Sequence, residues 1–353
     1  MSDIHTQIKA AIREQLEELA TGITAQHYAA HPQLHHQHGK EGRAKCRRDV
    51  SHHLTYLSDA IGLEQPELFA HYIAWVKIVL EKRGMSAQIL TDNLHYLRDA
   101  LLAALPAEMH AIVATYTEAG LDALAMTDET HSYLRPEAPH HTLARDYLHA
   151  LLSGERHTAS LMIREAVSNG IPVKDIYLHI FQPVQYEIGR LWQINEISVA
   201  EEHYATAVTQ LIMSQLYPEI FASERTGHTL VATCVGGELH EIGVRMVADF
   251  FEMAGWDTFY LGANTPSTSI IHALQQRRAE VLAISVTLAS HIEQMAQLIQ
   301  AVHRSDAKAV KILVGGYPFN RAPQLWQKIG ADGYGANADE AIAVSERLVG
   351  NGH

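Results

Sequence analysis

Along residues 4 to about 125 the apolar positions recur at spacings of three and four, as in ELFAHYIAWVKIVLEKRG, which stops at Gly84. That period gathers apolar side chains on one stripe of a helix, so it predicts helix after helix in an all-helical unit. The run TDETHSYLRPEAPHHT, residues 127 to 142, carries two prolines and no apolar period, as a linker would. Helical spacing returns over 142–153, 156–169, 173–192 and 198–216, broken at SNGIPV and closed by Tyr217-Pro218. These four segments have the length of bundle helices. From Thr229 the period changes: TLVATCV, DTFYLG, VLAISVT and KILVGG are short, β-rich, nearly continuous apolar runs, each separated from the next by a helix-length segment. That alternation predicts a doubly wound parallel sheet, in which ligands sit beyond the carboxyl ends of the strands. The expected boundaries are 1–126 for the helical unit, 127–141 for the linker, 142–220 for the bundle and 226–353 for the sheet.

The bulk numbers narrow this picture. At 353 residues, 47% of them hydrophobic, the chain can build several cores. Its 27 Lys plus Arg against 40 Asp plus Glu give a net charge of −13, which repels a phosphate backbone, so direct nucleic-acid binding is not expected. Cys46 and Cys234, the two cysteines, lie far apart, so neither a disulfide framework nor a paired-cysteine zinc site is predicted, and a cytoplasmic protein is expected. The N-terminus is a polar amphipathic stretch without an apolar signal core, and no run is long enough to span a bilayer, so no membrane association is expected. The 24 histidines gather in HPQLHHQH (31 to 38), at His52-His53 and at His140-His141, where surface positions are expected. HPQLHHQH reads as an exposed loop before it reads as a metal site, because its spacing is irregular and it lacks acidic partners.

Directly after the first strand comes GGELHEIG, residues 236 to 243. An imidazole ligates a transition metal well when its second nitrogen is held by a carboxylate, and Glu238, two residues before His240, can hold it. Gly243 opens the next helix without a side chain, leaving room for a bulky planar ligand. Ser285-Val286-Thr287 ends the third strand, and after 27 intervening residues Gly315-Gly316 ends the fourth. The three motifs in this order resemble the cobalamin-binding, Rossmann-like fold shared by methionine synthase, corrinoid proteins and cobalamin-dependent mutases. The resemblance implies His240 as lower axial cobalt ligand and a displaced nucleotide tail lined by Ser285, Thr287, Gly315 and Gly316. Tyr334, in GADGYGANADEA, matches the family's last-strand ending. The family mostly has aspartate where Glu238 stands; light-sensing cobalamin-dependent repressors share the glutamate.

In the bundle, Trp192 is followed after nine residues by Glu202-His203. This spacing looks like the upper-face cap of those photoreceptors, and implies that Trp192, Glu202 and His203 pack around a 5′-deoxyadenosyl group. Physically, an indole offers a flat apolar wall, and the carboxylate and imidazole offer hydrogen bonds. Gln193 departs from that family, which places a histidine there.

AKCRRDVSHHLTYL, residues 44 to 57, resembles the central chromophore helix of phycobiliproteins, with Cys46, Arg48 and Asp49 in its pattern and His52 and His53 in place of an aromatic pair. The resemblance implies a globin-like helical domain and a bilin, biliverdin or a relative. Arginine can clamp a propionate and aspartate can accept pyrrole N–H groups. Two other readings stay open: a solvated basic turn of Lys45, Arg47 and Arg48 beside an ordinary thiol, and a haem-binding globin using His52 or His53.

Together the domains resemble the photocobilins, photoreceptors that bind biliverdin and adenosylcobalamin. The implied function is light sensing without enzyme activity, with output through a homo-oligomer or a downstream protein partner. The alternative is a corrinoid methyl carrier for separate methyltransferases. A mutase is disfavoured because no barrel domain is present, and no nucleophile–base–orienter set marks the chain as an enzyme by itself.

Overall fold

The computed structural model describes residues 3–126, 131–221 and 223–350, without the side chains of residues 35–38. It divides into two compact units, Met1–Asp128 and Glu129–His353. The first is helical: α1 (Ile4–Glu14), α2 (Leu16–Ala30), α3 (Gln33–Gly62), α4 (Pro66–Glu81), α5 (Ala87–Ala104) and α6 (His110–Ala125). Gly39, at φ 57°, kinks α3 near its start. HPQLHHQH is therefore mostly helix and not a loop, and the side chains of residues 35–38 lie outside the described residues. Asp59, buried on α3, takes Arg13 through both oxygens at 2.8 Å and Lys9 at 3.1 Å, which ties α1 to α3.

Of the expected linker, residues 127–130 lie outside the described residues, and 131–140 hold turns and bends. The bundle follows as α7 (His141–Leu152), α8 (Arg156–Ser168), α9 (Val173–Ile176), a π-helical turn (Tyr177–Phe181), α10 (Gln182–Gln193) and α11 (Val199–Gln215). The expected single helix over 173–192 thus contains a π turn. Pro183 does not end the helix: it stands directly after the π turn, where the regular ladder of hydrogen bonds to the fourth residue back is already interrupted. Likewise Pro218 opens a short α12 (Tyr217–Ile220).

The sheet holds β1 (Thr229–Cys234), β2 (Asp257–Gly262), β3 (Val281–Ser285), β4 (Lys311–Gly315) and β5 (Gly333–Tyr334), all parallel, in the order β2-β1-β3-β4-β5. The connecting helices are α13 (Ile242–Met253), α14 (Ser267–Arg277), α15 (Ile292–His303), α16 (Tyr317–Arg321) and α17 (Leu325–Lys328), with α18 (Ala338–Gly350) last. This is the expected multidomain α and α/β fold. The order reverses between β1 and β3, which makes their carboxyl ends the switch point where a crevice opens. There Cys234 pairs in register with Ser285, and Ser285 with Gly315.

α13 joins two cores. Val244, Ala248 and Phe251 pack on the sheet, while Met246 and Phe250 enter the bundle core with Tyr147, Tyr177 and Phe181. The helix that leaves the β1 loop is therefore the shared wall of bundle and sheet. Among the described residues no helix is long and apolar enough to cross a membrane.

Candidate functional site

Glu238 is fully buried at the switch point. Its Oε1 accepts His240 Nδ1 at 2.5 Å and the His240 amide at 3.0 Å. Its Oε2 accepts the amides of Thr287 at 2.8 Å and Leu288 at 3.3 Å, and His291 Nδ1 at 3.0 Å. Burial alone would raise this carboxyl, but the two imidazoles and the backbone amides hold it well below the usual carboxylate range. A permanent carboxylate only accepts, so both Nδ1 atoms carry the proton and Nε2 of neutral His240 keeps its lone pair. The hydrogen bond to Glu238 raises the His240 pKa against the opposing effect of burial, and the charges of Glu238 and Glu202 add to the rise.

The His240 side chain is 55% exposed and its neighbour Leu239 is 73% exposed. An imidazole braced from below and open above, beside a bare apolar side chain, suits a planar apolar ligand carrying a metal. The glycines agree with that use. A Cβ at Gly243 would meet nothing within 4 Å, and one at Gly236 likewise. Gly316 has a different reason: at φ 106° its Cβ would lie 1.9 Å from the Val286 carbonyl, so it is fixed by the close approach of β4 to the loop after β3. The residues present therefore fit a corrin with an imidazole as lower ligand. His240 would hold the metal, and the ends of β3 and β4 would flank its tail.

The structure brings several expected residues together. Ser285, Gly315 and Thr287 line the edge next to Glu238. Tyr334 stands on the neighbouring β5, its hydroxyl donating to Asn320 Oδ1 at 2.6 Å. Glu202 and His203 occupy the first turn of α11, hydrogen-bonded to each other, with Thr206 Oγ1 donating to Glu202 at 3.3 Å. A capping box of Ser198 and Glu201 starts that helix, so Glu201 is spent on the cap. Trp192 and Gln193, half-buried, end α10, and the short turn 194–198 brings that end beside the start of α11. Three links were not expected. Glu241 accepts from Gln210 of α11 at 3.3 Å and from the Ala263 amide at 2.8 Å, and His291 joins Glu238 from the loop after β3.

In the helical unit Cys46, Arg48, Asp49, His52 and His53 all lie on α3. Arg48 and His52 are exposed, whereas Asp49 and His53 point inward. Burial, then Asp49, push the Cys46 thiol up to about 11, against the opposing effects of the Thr24 hydrogen bond and Arg43, so it is protonated near neutrality. Beside it a groove of about 270 Å³ is lined by Thr21, Thr24, Lys40, Arg43, Ala44 and Arg47. The arginines of that groove are Arg43 and Arg47 and do not include Arg48. His53 is a correction to the expectation of surface histidines: it is 4% exposed and bonded to the Tyr72 hydroxyl at 2.8 Å, and Tyr72 stacks on Tyr56 at 3.8 Å. His27 is buried too. Lys45, Arg47 and Arg48 stand on a helix, not on a turn.

Comparison with known proteins matches residues 228–343 to the B12 binding domain, residues 143–217 to a second B12 binding domain model, and residues 2–124 to the phycobilisome protein family. The dimethylamine corrinoid protein 1 of Methanosarcina mazei is 30% identical over 168 residues, which are 47% of this chain and 74% of that protein. The dimethylamine corrinoid protein of Methanosarcina barkeri is 29% identical over 47% of this chain and 76% of its own length. The solved monomethylamine corrinoid protein of Methanosarcina barkeri shares the fold, with TM-score 0.53 at 19% identity, over 59% of this chain and 99% of that one. A phycobilisome-type helical domain thus precedes the cobalamin-binding domains, and through its two B12 binding domains the chain belongs to the corrinoid protein family.

Proposed function

We propose that the chain is a cobalamin-dependent light sensor that holds adenosylcobalamin through His240 and a bilin, biliverdin or a relative, in its phycobilisome-type domain. The single observation that carries this reading is the presence, in one chain, of that domain and an open imidazole braced by a buried carboxylate. When bound, an alkylcobalamin supplies a weak carbon–cobalt bond that absorbs visible light. His240 would present Nε2 to the metal, Glu238 fixes its tautomer, and Trp192, Glu202 and His203 would cover the alkyl group. Were that group to leave, α10 and α11 would lose the contacts made with it, which would shift the bundle against α13. Signalling then passes through changed self-assembly or a protein partner.

A corrinoid methyl carrier serving a separate methyltransferase is the second reading. The names of the relatives support it more directly than they support light sensing, for the part of the chain that they match. It uses the same His240 and Glu238, but requires the upper face to open to a partner enzyme.

Absorption spectra of the full chain, reconstituted with adenosylcobalamin and biliverdin and recorded before and after illumination, separate the two. The light-sensor reading expects the cobalamin bands to convert under light, with a change in mobility on size exclusion that a dark control does not show. Spectra and mobility that stay put under light would refute it, and preferential binding of methylcobalamin would favour the carrier.

A further inference from the structure

We propose that His291 is a positioning residue for the axial ligand: together with Glu238 and His240 it forms an imidazole–carboxylate–imidazole chain that aims His240 at the metal. The inference rests on the corrinoid reading above and extends it to a residue 53 positions from Glu238.

His240 is more than half exposed, so packing does not fix its ring, and its direction comes from Glu238 Oε1. A glutamate has one more rotatable bond than an aspartate, and its carboxylate plane stays fixed only if the other oxygen is anchored. Oε2 has that anchor in His291 and in the amides of Thr287 and Leu288. The amides set where the oxygen sits. His291 approaches from a different direction, from the short helical turn Ala289–His291 that leads into α15. Its side chain is 16% exposed, so it is itself held by packing. The contact also crosses the switch point, because Glu238 follows β1 and His291 follows β3. It therefore ties the two loops on which a corrin would rest. His240, the more open of the two imidazoles, remains the ligand, and His291 acts through Glu238 without touching the metal.

The test uses the full chain and two substitutions. Asparagine places its side-chain amide near the position of Nδ1, so His291→Asn keeps the bond to Oε2, while His291→Leu removes it. Affinity for adenosylcobalamin is read from absorption titrations. The axial nitrogen is read from the electron paramagnetic resonance of bound cob(II)alamin in protein carrying histidine labelled with spin-half nitrogen, where an imidazole ligand gives a doublet and the corrinoid's own base a triplet. His291→Leu is expected to weaken binding by about 10- to 100-fold, the usual cost of losing an outer partner of a metal ligand, and to blur or lose the doublet. His291→Asn is expected to keep the doublet and nearly the native affinity. Native affinity and an unchanged doublet in His291→Leu would overturn the proposal. Should the leucine chain fail to fold, His291→Ser, too short to reach Oε2, replaces it: weakened binding supports the proposal and native binding overturns it. A wild-type chain that gives no doublet at all refutes the corrinoid reading instead, so the two failures are distinguishable.

Discussion

His240 and His53 each engage a partner through Nδ1, yet their surroundings send them in opposite directions. His240 leans on a carboxylate that five donors hold ionised, its ring is open, and its pKa is raised. His53 meets a tyrosine hydroxyl inside a helical core, and burial, then His52, push its pKa down to about 3. What would suit one imidazole to a metal and the other to packing is the charge behind one nitrogen and the space before the other. Residue type and proximity to a motif do not decide it.

Replacing each histidine by alanine breaks the comparison most sharply. His53→Ala leaves a cavity and an unpaired tyrosine hydroxyl, with an expected cost of about 3 kcal/mol in urea denaturation of the helical unit and no change in corrinoid spectra. His240→Ala leaves Glu238 its donors from Thr287, Leu288, His291 and the backbone amide of residue 240 and is expected to cost about 1–2 kcal/mol, while the histidine-ligated cobalamin spectrum disappears. A His53→Ala chain of native stability, or a His240→Ala chain with the native spectrum, would erase the distinction.

Acidification sharpens the same contrast. His53 and His27 have folded pKa values of about 3 and about 4 against a reference of 6.5, and both shifts come first from burial. Below pH 6.5 the unfolded chain binds protons that the folded unit refuses, so stability is lost as pH falls toward those values, by about 1.4 kcal/mol per pH unit for each group. His240 has the opposite sign: its raised pKa contributes stability below 6.5 that is lost as pH rises through the folded value. Urea midpoints of the helical unit should therefore drop between pH 6.5 and about 4, and His53→Gln should make that drop shallower. A flat profile would contradict the buried, neutral state of both rings.

The smallest effect concerns Gly243. Gly243→Ala meets open space in the first turn of α13, so the chain without corrinoid should gain about 0.5 kcal/mol, measured by thermal unfolding. Adenosylcobalamin should bind more weakly to it. Equal affinity would mean that no ligand approaches this backbone.

Much of the fold is legible in the chain because periodicity reports how each segment is solvated. The strand runs, the bundle segments and the pair Glu238 and His240 are all local patterns, and the structure places each on the element or loop expected. His291 is not legible, since it reaches Glu238 only because β1 and β3 are neighbours. His53 is misplaced by its histidine cluster, which reads as surface and says nothing of the core, where Tyr72 from α4 receives it. Composition predicts a loop for HPQLHHQH, yet a single left-handed glycine lets the helix bend and continue.

The π turn at Tyr177–Phe181 has a consequence for the far end of its helix. A π turn spaces its hydrogen bonds one residue wider than an α turn, and each residue advances an α-helix by about 100°. Tyr177, at its start, donates to Asp249 of α13 at 2.7 Å, and Trp192 comes after it. Deleting one residue of the turn would restore an α turn and leave both Tyr177 docked and the indole near its present azimuth, whereas the same deletion within α10 would swing the indole by about 100° around the axis.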